Sequence, residues 1–537
     1  MSSTRKEPRQ IKDISITSEQ LAHVDLQDLL PLPSPYDKPD ELPQFKPLTQ
    51  AQRDTVEATL DDTAVVGLPK VRSSDEQEKL IKAFVLGLRK LFSPENNWTF
   101  LKPLVLSMEH CAHCQTCADS CPIYEASGHN EVYRPTFRAE VLRRLYFKYV
   151  KPGGGLYRRF QHGDIELNWT LMARLLELSY RCTLCRRCAQ SCPIGVDNGL
   201  ITREIRKLFS SELGIAQKDL HEKGTLQQLR LGSSTGMNPR AVKDTVDFID
   251  QDMTERTGIE VKSKWDVEGA DILLLHNAGE FISWPENHGS FALLLDAAGI
   301  SWTLSSDLVG YDGVNYGLFY DDVQLARIAY RHLEVAKKLK VKKILMGECG
   351  HENKALGVTA DRLFQSIPRE TSLALLEQIV FSGRIKFDPS RNDFPVTLHD
   401  PCNLTRSMGI IQPQRRVLRR LAPQFREMEP HGVHNYCCGG GGGFAIMSPY
   451  NFQHWRMQIS GRKKFKQILD AFADTDLTSP STKYVCAPCS NCKGQMRDIL
   501  DYFGAKQKSG IHYGGLVELV VNAMADVKRP FLNFEER

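Results

Sequence analysis

Two cysteine runs of identical spacing constrain this chain more than any other feature of its 537 residues. The first is Cys111-x2-Cys114-x2-Cys117-x3-Cys121-Pro122, and the second is Cys182-x2-Cys185-x2-Cys188-x3-Cys192-Pro193. Three thiolates at two-residue intervals can wrap three corners of an iron-sulfur cubane. The fourth points away and serves the other cluster of a pair. The spacing therefore predicts one [4Fe-4S] cluster on Cys111, Cys114, Cys117 and Cys192, and a second on Cys182, Cys185, Cys188 and Cys121. Structural zinc usually takes separated ligand pairs, which two identical four-cysteine runs do not resemble. Residues 122–181 lie between the runs, and helical periodicity at Ala139–Val150 and Leu171–Leu178 makes this a helical region.

A second set of thiols lies near the C-terminal end. It begins with His399-Asp400-Pro401-Cys402, continues with Cys437-Cys438 and Gly439 to Gly443, and closes with Cys486-Ala-Pro-Cys489-Ser-Asn-Cys492. A cubane takes four thiolates, and adjacent cysteines cannot readily occupy two corners of one cube. An opened or bridged cluster is the chemistry that suits them. The glycine run is not a phosphate loop, because no Gly-Lys-Ser/Thr follows it. Glycines do let a backbone approach a cluster closely and aim N–H groups at its sulfurs, which raises the reduction potential. His399, Asp400 and His512 are candidates either for proton supply or for turn and capping roles.

The rest of the chain is ordinary. It is 41% hydrophobic and 25% charged, with a net charge of +4, which gives no case for nucleic-acid binding. No stretch approaches the ~18 apolar residues of a membrane span, and no export signal is visible. Fifteen cysteines in such a chain suit metal binding in a reducing, cytoplasmic setting rather than disulfides.

Residues 1–75 are polar, with prolines at 31, 33, 35, 39, 43 and 47 that favour extended chain; they read as a disordered tail or as an arm wrapping a partner. Glu76–Phe92 has the pattern of a core-facing amphipathic helix. Arg134, Arg138, Arg143, Arg144, Lys148, Lys151, Arg158 and Arg159, interleaved with aromatics, read as a solvated face or as a surface for an acidic partner or anionic lipid.

From about residue 226 strands and helices alternate, as in α/β units. Asp271–His276, Ser301–Leu304, Lys343–Met346, Val396–His399 and Tyr484-Val485 read as strands, and Phe291–Ala298, Asp322–Lys340 and Phe452–Phe472 as helices. Leu273-Leu-Leu-His276-Asn277 is similar to Val396-Thr-Leu-His399-Asp400, and Cys349-Gly-His-Glu352 to Cys489-Ser-Asn-Cys492, which indicates an internal duplication. The first copy has lost its adjacent cysteine pair, and its single Cys349 reads as a buried structural residue.

Residues 100–225 resemble the α-helical ferredoxin domain of succinate dehydrogenase and heterodisulfide reductase iron-sulfur subunits. Residues 270–530 resemble the cysteine-rich (CCG) domain of heterodisulfide reductase catalytic subunits, most specifically in the C-terminal half. The interval from Cys438 to Cys489 is longer than that family's pattern. Cys486 also offers a competing register with Cys489, but Lys493-Gly-Gln-Met496 favours Cys489 and Cys492.

The combination is similar to the D-type heterodisulfide reductase subunit, within it most to the DsrK type of the sulfite reduction-associated Dsr membrane complex. The resemblance implies an α+β multidomain chain. Residues 1–99 would form a Pro-rich arm and amphipathic helix, and 100–225 a two-cubane ferredoxin domain. A degenerate CCG-like α/β domain would follow at 226–390, and an intact CCG domain at 391–537. It implies a noncubane [4Fe-4S] centre on Cys402, Cys437, Cys438, Cys489 and Cys492 as the catalytic site. It further implies an oxidoreductase peripheral on the cytoplasmic face of the inner membrane, held by an integral membrane haem b subunit and other Dsr complex subunits. Its substrate would be a disulfide or trisulfide on a small DsrC-like sulfur-carrier protein. Iron-sulfur subunits of flavin-dependent glycolate, lactate or glycerol-phosphate dehydrogenases share these motifs, as would an electron relay with no substrate of its own.

Overall fold

In the computed structural model of the protein, the described residues are 10–16, 20–38, 47–57, 59–71, 73–157, 164–307, 311–363, 367–528, 531–532 and 534. Five main helices build the first half, at Ser74–Leu91, Leu101–Glu109, Pro135–Tyr149, Trp169–Ser179 and Asn198–Leu213. Their ends are written locally. Ser73 accepts from the Glu76 amide, Asn168 from Leu171 and Asp197 from Leu200, while Gly214 closes the last helix at φ +66°. Helix Ser74–Leu91 buries Phe84, Leu88 and Leu91 against Asn198–Leu213. Gly87 permits the approach, because a Cβ there would lie 2.8 Å from Leu208 Cδ1.

The two cysteine runs lie in loops between these helices. In each run the residues two and four places after the first cysteine adopt left-handed backbone: His113 and Gln115, Leu184 and Arg186. None is glycine, so each is a strained choice, repeated because the loop must curl around one centre.

The second half holds two four-stranded parallel sheets. The first contains β1 (Ile272–Leu275), β2 (Trp302–Thr303), β3 (Lys343–Met346) and β4 (Arg369–Thr371), in the order β2-β1-β3-β4. The second contains β5 (Val396–Leu398), β6 (Phe425–Arg426), β7 (Lys483–Cys486) and β8 (Ile511–Gly514), in the order β6-β5-β7-β8. The orders are the same once renumbered, so the duplication extends to topology. The four strands β1, β3, β5 and β7 are buried along nearly their whole length, as parallel strands covered on both faces must be.

The copies interlock through buried charge. Glu348, just after β3, accepts from the Leu516 and Val517 amides at 2.7 and 3.0 Å, capping a helix of the second copy. Lys493 of the second copy sits 3.7 Å from Glu280 and 3.6 Å from Glu348 of the first. The chain end returns to the first copy, where the Lys528 amide donates to Thr257 and Arg256 to the Phe531 carbonyl.

The proline-rich segment, where described, packs on its own chain. Tyr36 is buried against Phe465 and Phe503 and hydrogen-bonds Ser509 at 2.7 Å. The amides of Val65, Val66 and Gly67 all donate to the buried Glu177 carboxylate. Most of the basic stretch is likewise consumed internally. Arg143 is buried and donates to the Ser107 and Met108 carbonyls, Arg138 donates to Thr202, and Lys148 and Lys151 pair with Asp164 and Glu109. Arg158 and Arg159 lie outside the described residues. No helix among the described residues is long and apolar enough to cross a membrane.

Candidate iron-sulfur centres

The eight cysteines of the two runs gather around two recesses. Cys111, Cys114 and Cys117 share one with Cys192, while Cys182, Cys185 and Cys188 share the other with Cys121. The last cysteine of each run therefore crosses to the other group, carried by the helical turn that follows the third cysteine. Cys114 is exposed and Cys111 partly so, which sets the first recess near the surface. The second is deeper, and the buried Arg138 guanidinium faces it. Burial opposes the charge on that guanidinium, but the thiolates of Cys182, Cys121 and Cys188 outweigh burial and hold it charged. A fixed cation beside a cluster favours its reduced state.

The strand ends of the second sheet deliver the distal thiols. Cys402 opens the helix Cys402–Met408 after β5, and Cys437-Cys438 lie in the loop beyond β6. Cys489 caps the helix Ser490–Tyr502 after β7, and Cys492 lies in its first turn. Cys437 is in hydrogen-bonding contact with Cys402 and Cys438, Cys438 with Cys492, and Cys492 with Cys489. The five predicted sulfurs thus form one continuous group. Four are buried, and Cys402 is partly exposed. Cys486 stays apart on β7, where burial raises its thiol pKa and the charges of Glu348 and Glu518 add to that.

The glycine run fits tightly around this group. The Gly439 amide donates to Cys437 Sγ and the Gly440 amide to Cys438 Sγ, each at 3.4 Å. Gly439 has φ +98°, and a Cβ on it would lie 2.5 Å from Gly461 Cα. A Cβ on Gly441 would lie 2.5 Å from the Thr183 carbonyl oxygen. The run therefore lies flat between the distal thiols and the loop that carries Cys182 and Cys185.

This seam joins the distal group to the second recess. The Cys185 thiol donates to Cys437. Arg206, buried in the last ferredoxin-region helix, donates to the Gly442 carbonyl at 2.9 Å and the Cys182 carbonyl at 2.7 Å. Arg406 donates to the Cys185 carbonyl at 2.7 Å and the Asn435 carbonyl at 2.8 Å. The order from the surface inward is first recess, second recess, distal group.

His399 reaches the distal thiols. One of its ring nitrogens lies with Cys438 Sγ and Cys492 Sγ in a set whose members are all within 4.8 Å of one another. Burial lowers its pKa, and the Lys464 charge lowers it further, so the imidazole is neutral at pH 7. Burial also pulls the Lys464 ammonium down to about 7. Asp400 instead anchors the loop, accepting from Arg415 at 2.8 Å and the Gly432 amide at 2.7 Å. His512 lies on β8 against Phe534, away from the thiols.

A cavity of about 870 Å³ reaches Cys402, Cys438, Cys489 and Cys492. Its walls come from the ferredoxin-like region and from both copies. Phe100, Leu106, Ile194 and Phe319 are among its apolar contributors, and Arg186, Arg203, His351 and Lys354 among its basic ones. Burial draws the Lys354 ammonium down to about 8, and neighbouring Arg186 adds to this.

Cys349 is buried, as the sequence leads one to expect, and it lies beside the distal group. Its thiol donates to Cys489. Only the packing of the two sheets brings it there.

The matched family models agree with this layout. A 4Fe-4S dicluster domain matches residues 107–196, and a cysteine-rich (CCG) domain matches residues 396–497. The Hdr-like menaquinol oxidoreductase iron-sulfur subunit 2 of Archaeoglobus fulgidus is 27% identical over 462 residues, covering 78% of this chain and 80% of that protein. The D subunit of the dihydromethanophenazine:CoB--CoM heterodisulfide reductase of Methanosarcina barkeri is 23% identical over 432 residues, covering 78% and 95%. The chain joins a 4Fe-4S dicluster domain to a cysteine-rich domain and is similar to D-type, heterodisulfide reductase-like iron-sulfur subunits. A further relative is the EtfAB:quinone oxidoreductase of Syntrophomonas wolfei, 23% identical over 437 residues and covering 76% of this chain and 57% of that protein. No solved structure matches. The thiol sets suit the clusters these domains carry, since buried sulfurs converge and backbone amides are aimed at them.

Proposed function

We propose that the protein is the iron-sulfur electron-transfer and catalytic subunit of a membrane-associated complex, exchanging electrons between a quinone- or haem-linked partner and a sulfur–sulfur bond. The substrate is a disulfide or trisulfide on a small sulfur-carrier protein of the DsrC kind, in dissimilatory sulfur metabolism. The partner is an integral membrane haem b subunit with other Dsr-type subunits, at the cytoplasmic face of the inner membrane. Supporting this reading is one observation above the rest: five distal thiols converge, Cys437 touches the second cubane site through Cys185, and the other four line one cavity.

The ligand sets in this reading are Cys111, Cys114, Cys117 and Cys192 for one cubane, and Cys121, Cys182, Cys185 and Cys188 for the other. Cys402, Cys437, Cys438, Cys489 and Cys492 hold the noncubane [4Fe-4S] centre. When bound, the cubanes supply one-electron steps and the noncubane centre a Lewis-acidic iron for a substrate sulfur. The protein does the rest. Phe100, Leu106 and Phe319 exclude water from the sulfur, and Lys354 holds an anionic group beside it. Neutral His399 stands within reach of Cys438 and donates or takes the proton that accompanies a departing or arriving thiolate. The glycine amides at Cys437 and Cys438 spread charge from those sulfurs and favour reduction. Nothing in this arrangement forbids the reverse direction, thiol oxidation.

The match to a quinone oxidoreductase of electron-transferring flavoprotein supports a second reading, in which the chain relays electrons for a flavoprotein. Anaerobic holoprotein reduced with a viologen dye separates the two. Dye oxidation should depend on an added carrier-bound trisulfide or disulfide and proceed without a flavoprotein. Dye oxidation only when a flavoprotein and its 2-hydroxy acid or glycerol-phosphate couple are present would overturn the sulfur reading.

A further inference from the structure

Cys349 sits at the same station in the first copy as Cys489 in the second. Each follows its strand by three residues, after β3 and β7. Each stands at the N-terminus of a helix, Gly350–Leu363 for Cys349 and Ser490–Tyr502 for Cys489. The sheets pack so that these stations meet. The Gly350 amide donates to Cys489 Sγ at 3.4 Å, and the Ser490 amide donates to the Glu348 carbonyl at 2.5 Å. The helix that follows Cys349, 14 residues long, thus directs its first amide at the sulfur of Cys489, while the first amide of the helix that follows Cys489 ties back to the loop of the first copy. Helix N-termini stabilise thiolates.

The other ligand stations of the first copy have changed chemistry. Gly279 stands where Cys402 does, Asp312-Gly313 follow β2 as Cys437-Cys438-Gly439 follow β6, and Glu352 replaces Cys492. Asp312 is fully engaged by the amides of Ser234, Ala278 and Val314 and by the Ser234 hydroxyl. Glu352 is different. It is buried, neither carboxyl oxygen has a nitrogen or oxygen donor among the described residues, and the Cys349 thiol is its hydrogen-bonding neighbour. The ring nitrogens of His351 lie 3.7 Å from Cys349 Sγ. A buried cysteine that only packs is surrounded by apolar side chains. Cys349 has the Cys489 thiol, the His351 imidazole and the Glu352 carboxyl group around it instead.

We infer that Cys349 is a sixth thiolate donor to the distal centre, lent by the copy that lost its own cluster and bound beside Cys489. Cys349 binds as the thiolate, forming one iron–sulfur bond while its proton passes to the Glu352 carboxylate it faces, with no change in electron count. The inference rests on the distal centre proposed above. It makes that centre a joint product of both copies, so that movement of one sheet against the other would alter its coordination.

The test uses holoprotein labelled with 13Cβ-cysteine, with Cys486→Ala as a control thiol outside the group. Cys349→Ala should keep both cubane EPR signals, shift the g values of the thiol-induced distal signal, and lose one class of 13C hyperfine coupling. Cys349→Ser preserves the packing and offers oxygen, so it should give a third spectrum, distinct from wild type and from alanine. Because serine is nearly isosteric, this arm reads out even where alanine lowers the yield. A distal signal and 13C couplings unchanged in both variants, as in Cys486→Ala, would overturn the inference. Cys438→Ala in parallel separates the two claims. A distal signal that survived that change would sink the five-thiol centre itself, whereas one lost in Cys438→Ala and untouched in Cys349→Ser would remove the sixth donor alone.

Discussion

Cys438→Ala is expected to abolish sulfur–sulfur chemistry while leaving two cubane EPR signals in the holoprotein. Cys438 touches Cys437, Cys492 and His399, so it stands at the middle of the distal group and is the thiol of that group that His399 reaches. Those hydrogen bonds outweigh burial and hold its thiol pKa well below normal, as contacts with neighbouring thiols also do for Cys489. Changes to groups that merely support a metal ligand cost about 10–100-fold, so loss of this one should exceed about 100-fold. The cubane cysteines are untouched, because the seam to the second recess runs through Cys437 and Cys185. Activity and spectra measured on one preparation check both halves of the expectation. Retained thiol–disulfide activity would mean that Cys438 is not part of the reacting centre.

Arg206→Met should be the most damaging change outside the cysteines. The side chain is 1% exposed and lies 4.1 Å from the Tyr180 ring. It donates to the carbonyls of Ser179, Cys182 and Gly442. Burial draws the guanidinium down to about 10, which leaves it charged at pH 7. Methionine fills a similar volume but leaves three carbonyls without a donor. At about 1–3 kcal/mol for each unsatisfied buried group, a loss of about 3 kcal/mol or more is expected, read as a fall in the denaturant midpoint. The rivet also holds the glycine run against the cubane loop. Reduction of the distal centre in rapid-freeze EPR should therefore slow by about 10-fold, the lower end of the effect of removing a group that supports a metal ligand. A variant of wild-type stability and rate would show that the seam does not depend on this residue.

Much of the architecture is legible in the residues because it is written locally. β1, β3, β5 and β7 are short apolar runs, and such runs stay legible when both faces are covered. β4, β6 and β8 are not legible in this way. Arg369-Glu-Thr, Phe425-Arg and Ile511-His-Tyr-Gly carry no strand pattern of their own, and they are strands because β3, β5 and β7 offer open edges beside them. The crossing of Cys121 and Cys192 follows from spacing, since a fourth cysteine past a helical turn cannot point back to its own cluster. The contact of Cys349 with Cys489 depends on how two whole sheets are docked, and no local pattern carries that information.

The basic stretch shows the opposite failure. Its arginines look like a surface by composition, yet Arg138 and Arg143 are buried, one facing thiolates and the other satisfying helix-end carbonyls. Charge runs give number but not direction. The proline-rich segment behaves likewise, for Tyr36 and Leu32 supply apolar area that the second copy buries.

The most direct test of the account is EPR of the oxidised holoprotein, recorded with and without a 33S-enriched thiol. A distal centre that accepts a substrate sulfur predicts a new signal on thiol addition, broadened by 33S, separate from both cubane signals and absent from Cys438→Ala. A spectrum containing only cubane signals, unchanged by thiol, would contradict it and leave the chain an electron relay.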